Sequence, residues 1–402
     1  MDFAYAKHFL SKPGAAAVGI SLRGPALFDS RVSDAILAKM RSQWAPPEGP
    51  NAAGAGRFET LRKIETWLME GAPRNRQSKI QRISAHRPKG NLQGALSAYA
   101  GLALQGRSLI RRAPENSVYL NVSQFPLWSG AYTGWLDARP DVRCVTMIHD
   151  VLPLQYPEFF PEHEKERHEK RLSLLARRGS GVIVSTAAVR EELAARLAAL
   201  GRRDMPIQVA HLPIDEAFAA AIEPGGAIAG NIPYFVACGT IEPRKNHLML
   251  LQLWREMIAD DADAAPRLII VGKRGWDNET VFRILDRSVA LSGHVLEVNG
   301  LSTLELRCLL AGARALLAPS LAEGFGLPIS EARAAGAPVI ASDIPVFREI
   351  GGTDTIYRHP LDLPDWRQAV EQATRTRAPM PVSSGIDQAA YFKTVEAFVM
   401  SL

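Results

Sequence analysis

The chain reads as an α/β protein built from two parallel-sheet domains that face each other across a cleft, and three observations predict this. At 402 residues it is long for one hydrophobic core, so two domains are expected. Short β-branched apolar runs alternate with helical patterns, as strands do when helices cover both faces of a sheet. Residues 223–232, rich in Gly and Pro and uncharged after Glu223, divide the two series and read as a linker.

In the first half, strands are predicted at Ala17–Leu22, Val118–Val122, Cys144–Ile148, Val182–Ser185 and Ile207–Leu212. Helices are predicted at Val32–Gln43, Arg57–Glu70, Glu162–Arg178 and Ala187–Leu200. In the second half the strands are Tyr234–Cys238, Arg267–Val271, Val295–Val298, Ala315–Leu317 and Pro338–Ser342. Helices at Asn246–Ile258, Asn278–Leu291, Leu304–Ala311 and Pro328–Ala335 fit between them. The division is therefore an N-terminal domain (1–222), the linker (223–232) and a C-terminal domain (233–384). Residues 385–402 carry Tyr391, Phe392 and Phe398 at near-helical spacing and read as a terminal helix packing back on the first domain.

Composition narrows the function classes. Hydrophobic residues make up 47% and charged residues 22%, as in globular proteins. No apolar run reaches the roughly 18 residues of a membrane-spanning helix. The start, Met-Asp-Phe-Ala-Tyr-Ala-Lys-His8, lacks the basic and apolar regions of a secretory signal. Cys144, Cys238 and Cys308 are scattered through apolar stretches, which fits buried thiols in a cytoplasmic protein. Net charge is +5, concentrated in Arg74, Arg76, Lys79, Arg82, Arg87 and Lys89 with no acidic residue between. That run is a solvated face or a site for an anionic membrane surface or lipid diphosphate. Nucleic acid is not expected, since aromatic interleaving and zinc or RNP-type motifs are lacking.

The chemistry concentrates in Glu323-Gly-Phe-Gly-Leu-Pro-Ile-Ser-Glu331. Gly324 and Gly326 permit close backbone approach to a ligand, and Pro328 suits the first position of a helix. The N–H groups opening that helix suit a phosphate, while Glu323 and Glu331 suit polyol hydroxyls. Arg244 and Lys245 follow the strand Tyr234–Cys238, and two adjacent cations at a strand end suit a diphosphate. Asn246 is placed to cap the helix that follows. His149-Asp150 ends the strand Cys144–Ile148, with Asp150 either orienting the ring or approaching the second substrate. Lys273 lies at another strand end, either near phosphate or at the surface. Asp260-Asp-Ala-Asp263 reads as solvated loop, and no metal site is expected.

These motifs resemble the GT4 family of retaining glycosyltransferases (glycosyltransferase group 1), which have the GT-B architecture of two Rossmann-like domains. Glu323 and Glu331 look like its E-x7-E signature, Glu242-Pro-Arg-Lys-Asn246 its E-P-x-K-N element, and His149-Asp150 its H-D element. The resemblance implies that Arg244 and Lys245 grip the donor pyrophosphate, aided by backbone N–H groups of Gly324, Phe325, Gly326 and Leu327. It also implies that His149 contacts the donor sugar, Glu323 holds its hydroxyls and Glu331 the ribose, with Asn299, Gly300 and Leu301 flanking the base. Same-face attack without a metal ion is the implied mechanism. The combination of Val118-Tyr-Leu-Asn-Val122, His149-Asp-Val-Leu-Pro153 and Ile241-Glu-Pro-Arg-Lys-Asn246 looks most like polysaccharide or O-antigen mannosyltransferases of lipopolysaccharide assembly. That implies GDP-mannose as donor, a UDP-hexose next, and a lipid-linked glycan acceptor at the cytoplasmic face of the inner membrane. Ser21-Leu-Arg-Gly24-Pro departs from the family, whose members often carry a glycine-rich loop there. Two rivals stay open: a nucleotide-sugar epimerase of the same fold and a non-catalytic sugar-nucleotide-binding scaffold.

Overall fold

The apolar runs of the second half form a parallel sheet buried on both faces. A computed structural model describes residues 2–21, 24–28, 59–70, 80–85, 107–124, 126–219, 232–377 and 385–402, with a few single positions between. In chain order the strands are β1 (Val18–Ser21), β2 (Gly24–Leu27), β3 (Gln81–Ser84), β4 (Arg107–Ser108), β5 (Val118–Asn121), β6 (Arg143–Ile148) and β7 (Gly179–Val184). There follow β8 (Ile207–Val209), β9 (Tyr234–Cys238), β10 (Arg267–Val271), β11 (Val295–Asn299), β12 (Leu316–Ala318), β13 (Val339–Ser342) and β14 (Ile356–Arg358). The longer helices are α1 (Asp2–Leu10), α2 (Glu59–Met69), α3 (Glu162–Arg178), α4 (Ala187–Ala199), α5 (His247–Asp260) and α6 (Glu279–Arg287). They continue with α7 (Thr303–Gly312), α8 (Leu327–Ala334), α9 (Pro345–Gly351), α10 (Leu363–Arg375) and α11 (Gln388–Ser401).

Strand alternation assigns each side chain to one of two cores. In the second sheet, Val236, Ile269, Leu296 and Leu316 face α2, α7 and α8. Their neighbours Phe235, Leu268, Val295 and Leu317 face α5, α6 and α10. This seven-stranded sheet has the order β14-β13-β12-β9-β10-β11-β3 and is parallel throughout. After β9 the chain steps outward to β10 and β11, then returns to place β12 on the other side of β9. The switch leaves a crevice beyond the carboxyl ends of β9 and β12, where α/β sheets bind ligands.

The first domain has a parallel four-stranded sheet, β5-β6-β7-β8. Val182 and Val184 face α3 and α4, while Val145, Met147 and Ile183 face α1 and α11. There the Tyr391 and Tyr5 hydroxyls pair at 2.6 Å. The C-terminal helix thus lies on the sheet of the first domain.

Two expectations are corrected. The strand near residue 20 pairs antiparallel with β2, Ser21 opposite Gly24, and joins β4 in a small separate sheet instead of entering a parallel one. Helix α2 and strand β3, read as part of the first domain, cover and extend the second sheet: β3 pairs with β11, and Ile64 and Leu68 are fully buried in its core. Burial of the apolar face of α2 decides this placement, since Leu61, Ile64, Trp67 and Leu68 share one helical stripe. Arg82 of the basic run, its side chain 47% exposed, lies 3.2 Å from buried Glu297. The other basic residues of that run, most of the linker 223–232 and most of the helix read at Val32–Gln43 lie outside the described residues. Cys144, Cys238 and Cys308 are free thiols.

Candidate active site

Two loops meet in the crevice between β9 and β12. Beyond β9, Pro243–Lys245 form one tight turn that presents Arg244 and Lys245. Beyond β12, Ser320 and Glu323 come back toward them. Arg244 donates through Nη1 to Glu323 Oε2 at 2.6 Å and to the Ala322 carbonyl at 3.1 Å, and its Nη2 lies 2.7 Å from Glu242. Lys245 Nζ donates to the other Glu323 oxygen, which also accepts the Ser320 hydroxyl at 2.8 Å. The Leu321 N–H closes the arrangement on the Arg244 carbonyl at 2.8 Å. Burial alone would raise the Glu323 pKa, but Lys245 and Arg244 outweigh it and hold the carboxyl down to about 2. Glu323 is therefore ionised at any physiological pH. The cavity bounded by Lys245, His247, Ser320, Glu323, Gly326 and Pro328 measures about 10 Å³, room for roughly one water.

The turn that follows is set by Gly326, whose φ of +97° is left-handed and whose missing Cβ would lie 2.6 Å from the Phe347 ring. Helix α8 starts at Leu327, so Pro328 is its second residue and Glu331 its fifth, one residue further in than expected. Burial, with the charge of Asp215 added, pushes the Glu331 pKa up to about 7. Asn246 is not a side-chain cap: it is left-handed at φ 56° and its amide donates to the Pro319 and Pro360 carbonyls at 3.2 and 2.9 Å. It ties the β9, β12 and β14 loops together instead.

His149 and Asp150 stand at the end of β6 in the first domain. His149 Nε2 pairs with the Val122 carbonyl at 3.1 Å, which requires the proton on Nε2. Asp150 Oδ1 accepts the Leu152 N–H at 3.0 Å, so it shapes the turn after the strand. Across the domain line, Gly324 presses against this pair: a Cβ there would lie 2.8 Å from both the His149 carbonyl and Asp150 Cβ. The neighbouring Phe325 buries its ring among Val145, Met147 and Leu212 of the first domain. The structure thus brings His149, Asp150, Arg244, Lys245, Glu323 and the 324–327 loop together. Asn299, Gly300 and Leu301 lie two strands from β9, where the Asn299 carbonyl accepts the Ala85 N–H at 2.9 Å. Lys273 is exposed at the surface.

Sequence reasoning missed four contributors. Glu242 is buried against Arg244, and its pKa is raised by burial. His247 is buried beside Lys245; burial, then that charge, push it down to about 3, so it is neutral. Ser320 and Ser185 donate to Glu323 and to the Gly324 carbonyl. Only Glu242 carries a sequence signal, being the acid at the head of the Glu-Pro-Arg-Lys-Asn element. Among the described residues no group of three His, Cys, Asp or Glu side chains is placed to hold a metal ion. Among them, too, no helix is long and apolar enough to cross a membrane.

Residues 232–375, which contain the crevice and both its loops, match the family model described as Glycosyl transferases group 1. That stretch of the chain is similar to a group 1 glycosyltransferase domain. Among curated proteins, the serotype-specific mannosyltransferase WbdA of Escherichia coli is 31% identical over 251 residues, 58% of this chain and 31% of that protein. The O-antigen chain mannosyltransferase B of Escherichia coli is 28% identical over 55% of this chain and 58% of its own length. This chain therefore spans only about a third of WbdA. Among solved structures, that of Anabaena Alr3699/HepE in complex with UDP aligns with a TM-score of 0.55 at 15% identity, over 87% of this chain and 97% of that one. The lipopolysaccharide outer core galactosyltransferase WaaB, apo form, aligns at 0.50 and 16% identity over 73% and 77%. The chain thus has the GT-B fold.

Proposed function

We propose that this glycosyltransferase moves a hexose, mannose in the first instance, from GDP-mannose to a hydroxyl of a lipid-linked or polysaccharide glycan, with retention and without a metal ion. The observation that carries the reading is the Glu323 carboxylate shared by Arg244, Lys245 and Ser320, set against His149 and Asp150. Two cations fixed at a strand-end crevice can neutralise a departing diphosphate, an electrostatic stabilisation that grows as charge develops on the leaving group. Because Glu323 now occupies both cations, a bound diphosphate would take them over and release the carboxylate to the sugar hydroxyls.

In this mechanism the bond from the anomeric carbon to the diphosphate oxygen breaks, and its electron pair leaves with the nucleoside diphosphate. The oxocarbenium-like sugar is attacked on the same face by the acceptor hydroxyl. That hydroxyl gives its proton to the departing phosphate. His149 lies beside the reacting carbon, and Glu331 holds the ribose. The curated relatives, named as mannosyltransferases, support mannose as the transferred sugar. Arg74, Arg76, Lys79, Arg87 and Lys89 supply the charge by which the chain would meet an anionic membrane bearing the acceptor.

The test is incubation with GDP-mannose, UDP-glucose or UDP-galactose and lipid-linked glycans in anionic vesicles, read by mass spectrometry and by NMR of the anomeric proton. We expect one added hexose from GDP-mannose, with the anomeric configuration of the donor. An inverted product would overturn retention, and transfer from a UDP-hexose alone would overturn the donor. Isomerised donor without acceptor would make the protein an epimerase; nucleotide binding without any transfer would make it a scaffold.

A further inference from the structure

One junction of the two domains is built on a carboxylate that makes no contact with Arg244 or Lys245. Beyond β7 the chain runs through Ser185-Thr186-Ala187-Ala188, the opening of α4, where Thr186 caps the helix by accepting the Val189 N–H at 3.2 Å. Glu349, from α9 of the second domain, seats its carboxylate on that helix start. The Ala187 N–H donates to its two oxygens at 2.7 and 2.9 Å, and the Ala188 N–H to one of them at 3.2 Å. His211 Nε2, just beyond β8, reaches the same carboxylate at 2.7 Å. Helix starts leave N–H groups unpaired and carry partial positive charge, so a carboxylate is well placed there.

The adjoining hydroxyls serve a second purpose. Ser185 and Thr186 donate to the Gly324 carbonyl at 3.0 and 3.3 Å. Four consecutive residues of the first domain therefore receive both the carboxylate of α9 and the carbonyl next to Glu323. Gly324 is meanwhile held against His149 and Asp150. Arg348, the neighbour of Glu349, is paired instead with Asp343 at 2.7 Å.

We propose that Glu349 is a positioning residue: seated on the start of α4, it fixes the register in which the Glu323–Gly326 loop meets His149 and Asp150. It binds no part of the nucleotide. Its effect on turnover rests on the glycosyl-transfer reading above; its effect on domain closure does not.

The experiment compares wild type with Glu349→Ala and Glu349→Gln in three measurements: small-angle scattering without nucleotide, GDP affinity by calorimetry, and steady-state consumption of GDP-mannose with water as acceptor. Gln keeps the length and one accepting oxygen but loses the charge. We expect the alanine variant to have a larger radius of gyration, a GDP Kd within about twofold of wild type and a kcat lowered by about tenfold or more, with the glutamine variant between. Unchanged scattering and unchanged kcat in both variants would overturn the proposal. So would GDP affinity falling in step with kcat, which would make Glu349 a donor-binding group. If the alanine variant does not fold, the glutamine variant carries the comparison. If wild type consumes no GDP-mannose, the donor reading has failed, and scattering alone decides whether Glu349 holds the domains closed.

Discussion

Glu323 and Glu331 have the same side chain eight positions apart, yet their surroundings drive them in opposite directions. Lys245 and Arg244 hold Glu323 down to about 2, whereas burial and Asp215 push Glu331 up to about 7. Between pH 6 and 8 Glu323 stays ionised while Glu331 passes from acid to carboxylate, and only the carboxylate is a pure acceptor for ribose hydroxyls. GDP affinity should therefore rise with pH across this window in wild type. The terminal phosphate of GDP titrates nearby, so the control is Glu331→Gln, in which the Glu331 share of the rise should vanish. Calorimetric titrations at three pH values check this; parallel profiles in the two proteins would remove Glu331 from the ribose. The linked effect on stability has the opposite sign. An acid whose folded pKa is raised binds its proton more tightly when folded, so its ionisation opposes folding as pH climbs from its ordinary value through about 7. The two glutamates, Arg244 and Lys245 were legible because charge, glycine and proline stand at fixed offsets in their segments. Ser185 and Ser320 were not, because common polar residues acquire meaning only when a remote partner arrives, here across the domain line for Ser185.

At the level of elements, the turn into α8 depends on one backbone conformation. Gly326→Ala places a Cβ at a φ of +97° and 2.6 Å from the Phe347 ring, so both the backbone and the packing object. A loss of about 1–3 kcal/mol is expected, measurable by denaturant unfolding. Wild-type stability would show that the turn is softer than its geometry implies. Strands β9 and β10 match their sequence readings residue for residue, because five-residue apolar runs bounded by breakers leave little alternative. Strand β3 was invisible: Gln81-Arg-Ile-Ser84 has little apolar character, and its place beside β11 is backed by the ion pair of Arg82 with Glu297, a tertiary choice. The hairpin of β1 and β2 was missed for a related reason. Four apolar residues satisfy a parallel or an antiparallel partner equally well, and the pairing decides. Across that hairpin Ser21 stands opposite Gly24.

At the scale of the whole molecule, the domains meet through several contacts. Phe325 fills the core of the first domain, Glu349 seats on α4, and Trp276 donates to the Phe159 carbonyl at 2.9 Å. The cavity at Glu323 holds about 10 Å³, far below the several hundred cubic ångströms of a typical small-molecule site. The central claim is that Arg244, Lys245 and Glu323 form the nucleoside-diphosphate end of a donor site. The most direct test is a thermal-shift panel of GDP, UDP, ADP and their sugar conjugates against wild type and Arg244→Ala. At a hundredfold excess over Kd, a native-state ligand adds about 2.7 kcal/mol of stability and raises the melting temperature. The account predicts a shift with GDP and GDP-mannose that Arg244→Ala loses while keeping its own fold. A shift of equal size in the variant, or none with any nucleotide in wild type, would contradict it.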